Sequence, residues 1–205
     1  MGFYDRYILP HLTDLAMRNR AAALERARYV PLATGDVLEI GAGSALNLPF
    51  YGQRVERLVA LEPSPELWKL GCKRAEAARF PIEFVPASAE AIPAPDRTFD
   101  SIVMTWTLCT IVHPTTALAE IARVLKPGGR LIFIEHGKAP DVKVVAWQDR
   151  LNSTWRAVAG GCNMNRAITS LIAGSGFAID ELETGYSARP KVLSYLYKGI
   201  ATRRR

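Results

Sequence analysis

At 205 residues, with 49% hydrophobic and 22% charged side chains, the sequence has the size and composition of one globular domain, 1–205, which excludes wholesale disorder. Its net charge of +6 comes from 26 Lys+Arg against 20 Asp+Glu and includes Arg203, Arg204 and Arg205 at the C-terminal end. No element gathers basic residues with aromatics between them, so no nucleic-acid partner is expected.

In chain order, residues 1–30 read as helical, because Tyr4, Ile8, Leu12 and Leu15 recur at spacings of three and four, with Pro10 as an expected kink. After Pro31 the rhythm changes to short apolar runs at 36–40, 57–61, 82–85, 99–104 and 130–135, each suited to a strand buried on both faces. Helical stretches at 64–79 and 115–125 lie between them, and this alternation predicts right-handed crossovers and a parallel sheet. Residues 142–172 read as helical with a break at Gly160–Gly161. Segments 177–183 and 192–200 then read as two strands without a helix between them, an antiparallel pair that finishes the sheet. The expected fold is α/β: a Rossmann-like seven-stranded sheet, mostly parallel, with helices on both faces.

Residues 1–30 also carry Asp5, Arg6, Asp14, Arg18 and Arg20 in place of a leader's apolar stretch, which makes a cytoplasmic protein the expectation. Cys72, Cys109 and Cys162 form no CxxC pair, and His11, His113 and His136 have no ligand rhythm. Neither a disulfide framework nor a metal site is expected, and Cys109 and Cys162 read as buried apolar side chains.

The most informative segment is Glu39-Ile40-Gly41-Ala42-Gly43-Ser44-Ala45-Leu46-Asn47, directly after the first strand. Glycines two apart at a strand-to-helix turn allow a sharp turn and close approach of a ligand. The second strand ends at Glu62, 19 residues after Gly43, where a carboxylate can accept hydrogen bonds from both ribose hydroxyls. A pyrophosphate binder would have a third glycine where Leu46 stands, and Glu39 would repel a diphosphate. Glu39 instead suits a ligand with a cationic part, such as S-adenosylmethionine, over a nicotinamide dinucleotide.

The motifs VLEIGAGSALNLPFY (37–51), LEPSPE (61–66), SAEAIPAPDRTFDSIV (88–103) and LAEIARVLKPGGRLIFIEH (118–136) make residues 36–136 resemble a class I S-adenosylmethionine-dependent methyltransferase of the ubiquinone/menaquinone-methyltransferase-like group. GFYDRYILP (2–10), TWTLCTI (105–111), EHGK (135–138) and GCNMNR (161–166) resemble, more finely, the methyltransferase-like family that includes human alkyl-thiol methyltransferases and small bacterial relatives.

That resemblance implies a cofactor site of Glu39, Gly41, Gly43, Ser44 and Asn47 at the methionine end, and Glu62 at the ribose. Pro63 and Ser64 then close under the adenine, Ser88, Ala89 and Glu90 border it, and Thr105 approaches the sulfonium. Many relatives have glycine where Ala45 stands and aspartate where Ser88 stands. His136, at the C-terminal end of the fifth strand, is the candidate base for the acceptor, with loop orientation as its alternative role. Tyr4, Tyr7, Trp106, Leu108, Cys109, Ile111, Trp147, Trp155 and Asn163 are the candidate acceptor pocket. Lys126-Pro127-Gly128-Gly129 reads as structural, with Gly128 ending the preceding helix. The implied activity is methyl transfer to a small-molecule acceptor, an apolar thiol first. Phospholipid or quinone methylation is the alternative within enzymes, and a non-catalytic S-adenosylmethionine-binding regulator the alternative outside them. Residues 1–30 are expected to form a lid, with weak membrane-surface contact as their other use, and 137–205 to supply the substrate side.

Overall fold

The structure is a computed structural model and describes residues 2–204. Met1 and Arg205, the ends of the expected lid and of the terminal arginine run, lie outside the described residues.

Seven strands form one sheet: β1 (Gly35–Ile40), β2 (Val55–Leu61), β3 (Ile82–Val85), β4 (Phe99–Thr105), β5 (Leu125–His136), β6 (Phe177–Tyr186) and β7 (Tyr195–Arg203). Their order is β3-β2-β1-β4-β5-β7-β6. The first five pair in parallel, and β7 runs antiparallel to both β5 and β6. The terminal strands therefore do more than pair with each other: the last one inserts beside β5 and leaves β6 at the edge.

The central strands are apolar because both their faces are covered. Leu38, Ile40, Ile102, Met104 and Phe133 belong to one buried layer, together with α6 (Pro114–Val124) and α8 (Ile168–Gly174) through Leu118, Ile121 and Ile172. Val37, Leu58, Ala60, Val103 and Ile132 point the other way, into a layer closed by Tyr29, Val30 and Trp68. The period-two alternation of a strand thus feeds two cores on opposite faces.

Several local expectations change. Residues 1–30 form three helices, α1 (Phe3–Tyr7), α2 (Leu9–Met17) and α3 (Arg20–Tyr29). Pro10 sits in the first turn of α2, where a missing N–H costs nothing, so it starts a helix rather than kinking one. Asn19 caps α3, its Oδ1 accepting from Ala22 N at 2.9 Å. The stretch 64–79 is two five-residue helices, α4 (Pro65–Lys69) and α5 (Cys72–Glu76). Gly71 between them presses on the glycine turn, and a Cβ there would stand 2.7 Å from Ala45 Cβ. The helix expected at 142–172 is α7 (Val142–Val158), followed by left-handed Gly160 and Gly161, a loop, and α8. The last strand starts at Tyr195, because 191–193 form a 3-10 turn.

Gly128 does not end α6. That helix stops at Val124, and Gly128, at φ 79°, lies in residues 126–129, which bulge where Phe99 pairs with Leu125 and Ser101 with Arg130. Lys126 anchors the bulge to Asp100 at 2.7 Å.

Candidate active site

A cavity of about 1050 Å³ opens at the C-terminal ends of β1, β2, β4 and β5. This is the sheet edge where chain direction switches outward from β1 and β4, and open α/β sheets bind ligands there.

The turn after β1 forms one wall. Gly41 and Gly43 have φ of 67° and 56°, and Ala45 has 60°. The two glycines serve different purposes. A Cβ at Gly41 would lie 2.5 Å from Thr107 Cγ2, so this glycine admits the loop after β4. A Cβ at Gly43 would meet nothing closer than Leu67 Cδ2 at 3.6 Å, so this position has room for a methyl group. Ala45 adopts the left-handed conformation at a cost of about 1–2 kcal/mol, partly offset by burial of its methyl group.

Glu62 is 6% exposed, and each of its oxygens accepts one backbone N–H: Oε2 from Gly43 at 3.0 Å and Oε1 from Ser64 at 2.9 Å. Burial raises its pKa against those two bonds. Pro63 and Ser64 line the cavity, but the Ser64 hydroxyl is committed to capping α4 through Leu67 N at 3.2 Å. Ser88, Ala89 and Glu90 line the opposite rim. Glu90 accepts from His113 N at 2.6 Å and lies 3.3 Å from Ser88 Oγ, tying this loop to the start of α6.

A buried polar network sits at the other end. Asn47 Nδ2 donates to Glu39 Oε1 at 2.9 Å and to Thr105 Oγ1 at 3.0 Å, and Tyr51 OH donates to Glu39 Oε2 at 2.8 Å. Arg26 Nε donates to Asn47 Oδ1 at 2.9 Å, and its guanidinium lies 4.9 Å from the Trp106 ring centroid. Burial pushes the Glu39 pKa up to about 7 against the bonds from Tyr51 and Asn47. Burial also pushes Arg26 down to about 10, with Glu39 opposing. Arg26 escaped the sequence reading because it stands on a helix 13 residues before Glu39, in a run of arginines that resembles a solvated face.

Trp106, at φ 51°, is an aromatic residue in left-handed backbone, the kind of strain that collects at functional sites. The loop it begins is held from below. Glu135 accepts from Thr107 N at 2.9 Å and from Cys109 N at 3.4 Å, and burial pushes its pKa up to about 8. Arg166 donates to the carbonyls of Leu108 and Ile111, the latter at 2.8 Å. Asn163 donates through N and Nδ2 to Cys109 O at 2.9 and 3.0 Å.

These bonds give the GCNMNR and TLCTI segments a joint purpose: they stitch two distant loops together and bring their cysteines face to face. Cys162 Sγ lies 3.4 Å from Cys109 Sγ and 3.6 Å from His136 Nδ1. The Cys109 thiol and His136 hold Cys162 below the ordinary thiol range, while Cys162 and burial push Cys109 up. His136 Nε2 and Trp155 Nε1 are buried without hydrogen bonds. The cysteines are therefore not simple apolar filler as expected, and His136 faces a thiol with one nitrogen rather than a carbonyl of its own loop.

Of the expected acceptor pocket, Trp106, Cys109, Ile111 and Trp155 line the cavity. Five residues do not. Leu108 is fully buried in the core under the loop, and Asn163 spends its side chain on Cys109 and Gly161 carbonyls. Tyr4 bonds Val158 O at 2.7 Å, and Tyr7 is 53% exposed. Trp147 is 55% exposed and borders a separate groove with Val144, Leu151 and Pro190. The α1–α2 segment does cover the cavity, through Asp5, Leu9, Pro10, Leu12, Thr13 and Met17.

Residues 38–133 match the family described as "Methyltransferase domain". The chain is 33% identical to the thiol S-methyltransferases TMT1B of Rattus norvegicus and Homo sapiens. The alignments cover 72% and 88% of this chain and 62% and 78% of those proteins. It is 34% identical to a demethylmenaquinone methyltransferase of Thermus thermophilus, over 62% of this chain and 57% of that one. A crystal structure of the 1,6-didemethyltoxoflavin-N1-methyltransferase of Burkholderia thailandensis with S-adenosylhomocysteine superposes with a TM-score of 0.67. It is 17% identical and covers 96% of this chain and 84% of that one. The chain belongs to the class I S-adenosylmethionine-dependent methyltransferases. The alignment with the human thiol S-methyltransferase TMT1A, at 30% identity, covers 96% of this chain and 84% of that protein. No helix among the described residues is long and apolar enough to cross a membrane.

Proposed function

We propose that this chain transfers the methyl group of S-adenosylmethionine to the sulfur of a small apolar thiol. The observation that carries the reading is the cavity lining, which brings Trp106, Cys109, Ile111, Trp155 and Cys162 together with His136 and Thr105, Cys162 Sγ lying 3.6 Å from His136 Nδ1. The likeness to thiol S-methyltransferases supports it independently.

S-adenosylmethionine, when bound, supplies a methyl carbon activated by its sulfonium, so the protein's tasks are alignment and exclusion of water. The residues fit such a ligand. Glu62 keeps one lone pair on each oxygen for ribose hydroxyls, because its backbone partners use only the others. Pro63, Ser64, Ser88, Ala89 and Glu90 would flank the adenine, and Gly43 and Ser44 leave room for the ligand beside the turn. Glu39 would face the ammonium, Arg26 the carboxylate, and Asn47 keeps the two oppositely charged side chains apart and in register. Thr105, fixed by Asn47, would stand beneath the sulfonium.

A thiolate and a sulfonium lose opposite charges as they react, so a chamber poor in water favours the transition state over the separated ions. His136 Nε2, buried and unpartnered, is the ring nitrogen left to meet the acceptor. Helices α1 and α2 would close over the reactants.

A second reading, quinone or lipid-amine methylation, is favoured by the apolar outer surface of the same helices, with Phe3 73% and Leu15 71% exposed. Incubation with methyl-labelled S-adenosylmethionine and a panel of alkyl thiols, quinols and lipid amines, read by mass spectrometry, decides between them. Label found only on quinols or lipid amines would overturn the thiol assignment, and label on none of the panel would favour a binding role without catalysis.

A further inference from the structure

We propose that Cys109, His136 and Cys162 form a binding site for a thiophilic divalent cation, zinc, with its fourth coordination position open to the cavity. Among the described residues, these three bring one ligand atom each within 4.8 Å of one another. They come from three separate places: the loop after β4, the end of β5, and the loop after α7. Their spacings of 27 and 26 residues explain why no ligand motif shows in the sequence.

The distances suit the ion. Zinc–sulfur and zinc–nitrogen bonds of about 2.3 and 2.0–2.1 Å set tetrahedral edges of about 3.8 Å between sulfurs and about 3.6 Å between sulfur and nitrogen. The observed separations are 3.4 Å for the cysteine pair and 3.6 Å for Cys162 with His136. Closing the site requires small side-chain movements only. The charge also balances: two thiolates neutralise one divalent cation, so the buried site needs no further counter-ion. Two protons leave as the metal enters.

Independent support comes from the imidazole. His136 is 5% exposed, its Nδ1 is the ring nitrogen turned toward Cys162, and the ring lines the cavity rather than the core. A histidine kept only to orient a loop would spend its hydrogen-bonding capacity on that loop. Rigid support is already built: Glu135 accepts from the Cys109 N–H, and Asn163 and Arg166 hold both loops in place.

Three protein ligands and an open position are the composition of a catalytic zinc site. The use of that position rests on the thiol reading above. An acceptor R–SH would bind there through sulfur, releasing its proton to solvent, and its sulfur lone pair would then attack the methyl carbon as the carbon–sulfonium bond breaks. The neutral thioether formed is a weaker ligand and leaves.

The full-length protein, reduced and desalted after exposure to zinc chloride, is expected to retain about one zinc per chain by elemental mass spectrometry. Cobalt(II) in its place is expected to give a thiolate charge-transfer band and the visible bands of a tetrahedral ion. Cys162→Ser, Cys109→Ser and His136→Gln should each weaken metal binding at least about tenfold, with folding checked by circular dichroism. Cys72→Ser, away from the cavity, should not. Zinc absent from the reduced wild-type protein, or retained equally by Cys162→Ser and His136→Gln, overturns the site. So does a pair of thiols that titrates as a disulfide and shows no cobalt spectrum after reduction. Addition of an alkyl thiol to the cobalt form should strengthen the charge-transfer band. Cobalt bound without that response keeps the metal site and removes the thiol from it.

Discussion

Arg26 Nε donates to Asn47 Oδ1 at 2.9 Å, and this bond joins the N-terminal helices to the glycine turn. The two residues are buried, 5% and 3% exposed, and Arg26 is the cation nearest the Glu39 carboxylate in this network. Arg26→Ala removes a charge-assisted bond to a buried acceptor, an effect of roughly 1.5–3 kcal/mol. Affinity for S-adenosylhomocysteine, measured by calorimetry, should fall by about 10- to 150-fold. Arg26→Lys should recover little, since an ammonium cannot both reach Asn47 and lie flat on Trp106. Unchanged affinity in Arg26→Ala would remove Arg26 from the cofactor end.

Glu39 gives that affinity a pH dependence. Its folded-state pKa is pushed up to about 7 by burial, with Tyr51, Asn47 and Arg26 opposing and Glu62 adding to the rise. Because the folded protein holds this proton when the unfolded chain has lost it, Glu39 lowers stability as pH rises from its ordinary range to about 7, and adds no further change above. A ligand ammonium favours the charged carboxylate, so binding releases the proton. Affinity should therefore rise with pH and level off above about 7, being about tenfold weaker near pH 6 than near pH 8. Calorimetry in buffers of different ionisation heat should register the released proton. Glu39→Gln should flatten the profile; a profile that persists in this variant belongs to another group.

The two glycines of the turn should separate folding from binding. Both substitutions to alanine carry the left-handed cost of about 1–2 kcal/mol. Gly41→Ala also drives a methyl into Thr107 and should lower the melting temperature further, without ligand present. Gly43→Ala has room for its methyl, and Gly43→Val fills space beside the turn, so their additional loss should appear in cofactor affinity. Equal melting temperatures for Gly41→Ala and Gly43→Ala would show that Thr107 yields.

Much of this arrangement was legible because it depends on short-range pattern. The β1 run, the glycine pair and Glu62 lie within one βαβ unit, where spacing alone places a turn and a carboxylate at the same sheet edge. The seven strands were legible for the same reason, as apolar runs between turn signals. The cysteine–histidine cluster was not, because its members meet only through Asn163 and Arg166 bonds to carbonyls more than 50 residues away. Trp147 misled because an aromatic on a helix carries no mark of which side faces the cavity. Arg26 was hidden for the opposite reason: a buried arginine looks like its exposed neighbours until its partners are known.

The N-terminal segment should divide at Asn19. Deleting residues 1–30 would strip out Tyr29 and Val30, buried in the layer behind β1, and with them several kcal/mol of burial, at roughly 1.5–3 kcal/mol for a large apolar side chain. That truncation should unfold or aggregate. Deleting residues 1–18 keeps the Asn19 cap and α3, and loses the ion pairs of Asp14 with Arg74 and Arg6 with Glu66, which fasten α1 and α2 over the cavity. This shorter form should melt cooperatively and bind S-adenosylhomocysteine through the intact glycine turn. Turnover should fall more than affinity, because what is removed is the cover and not the cofactor floor. Normal turnover would mean the two helices are not a lid. Flotation of the full chain with anionic vesicles then tests their exposed Phe3 and Leu15 together with Arg6 and Arg18: binding that salt weakens, and that the 1–18 deletion abolishes, would make this face a membrane contact.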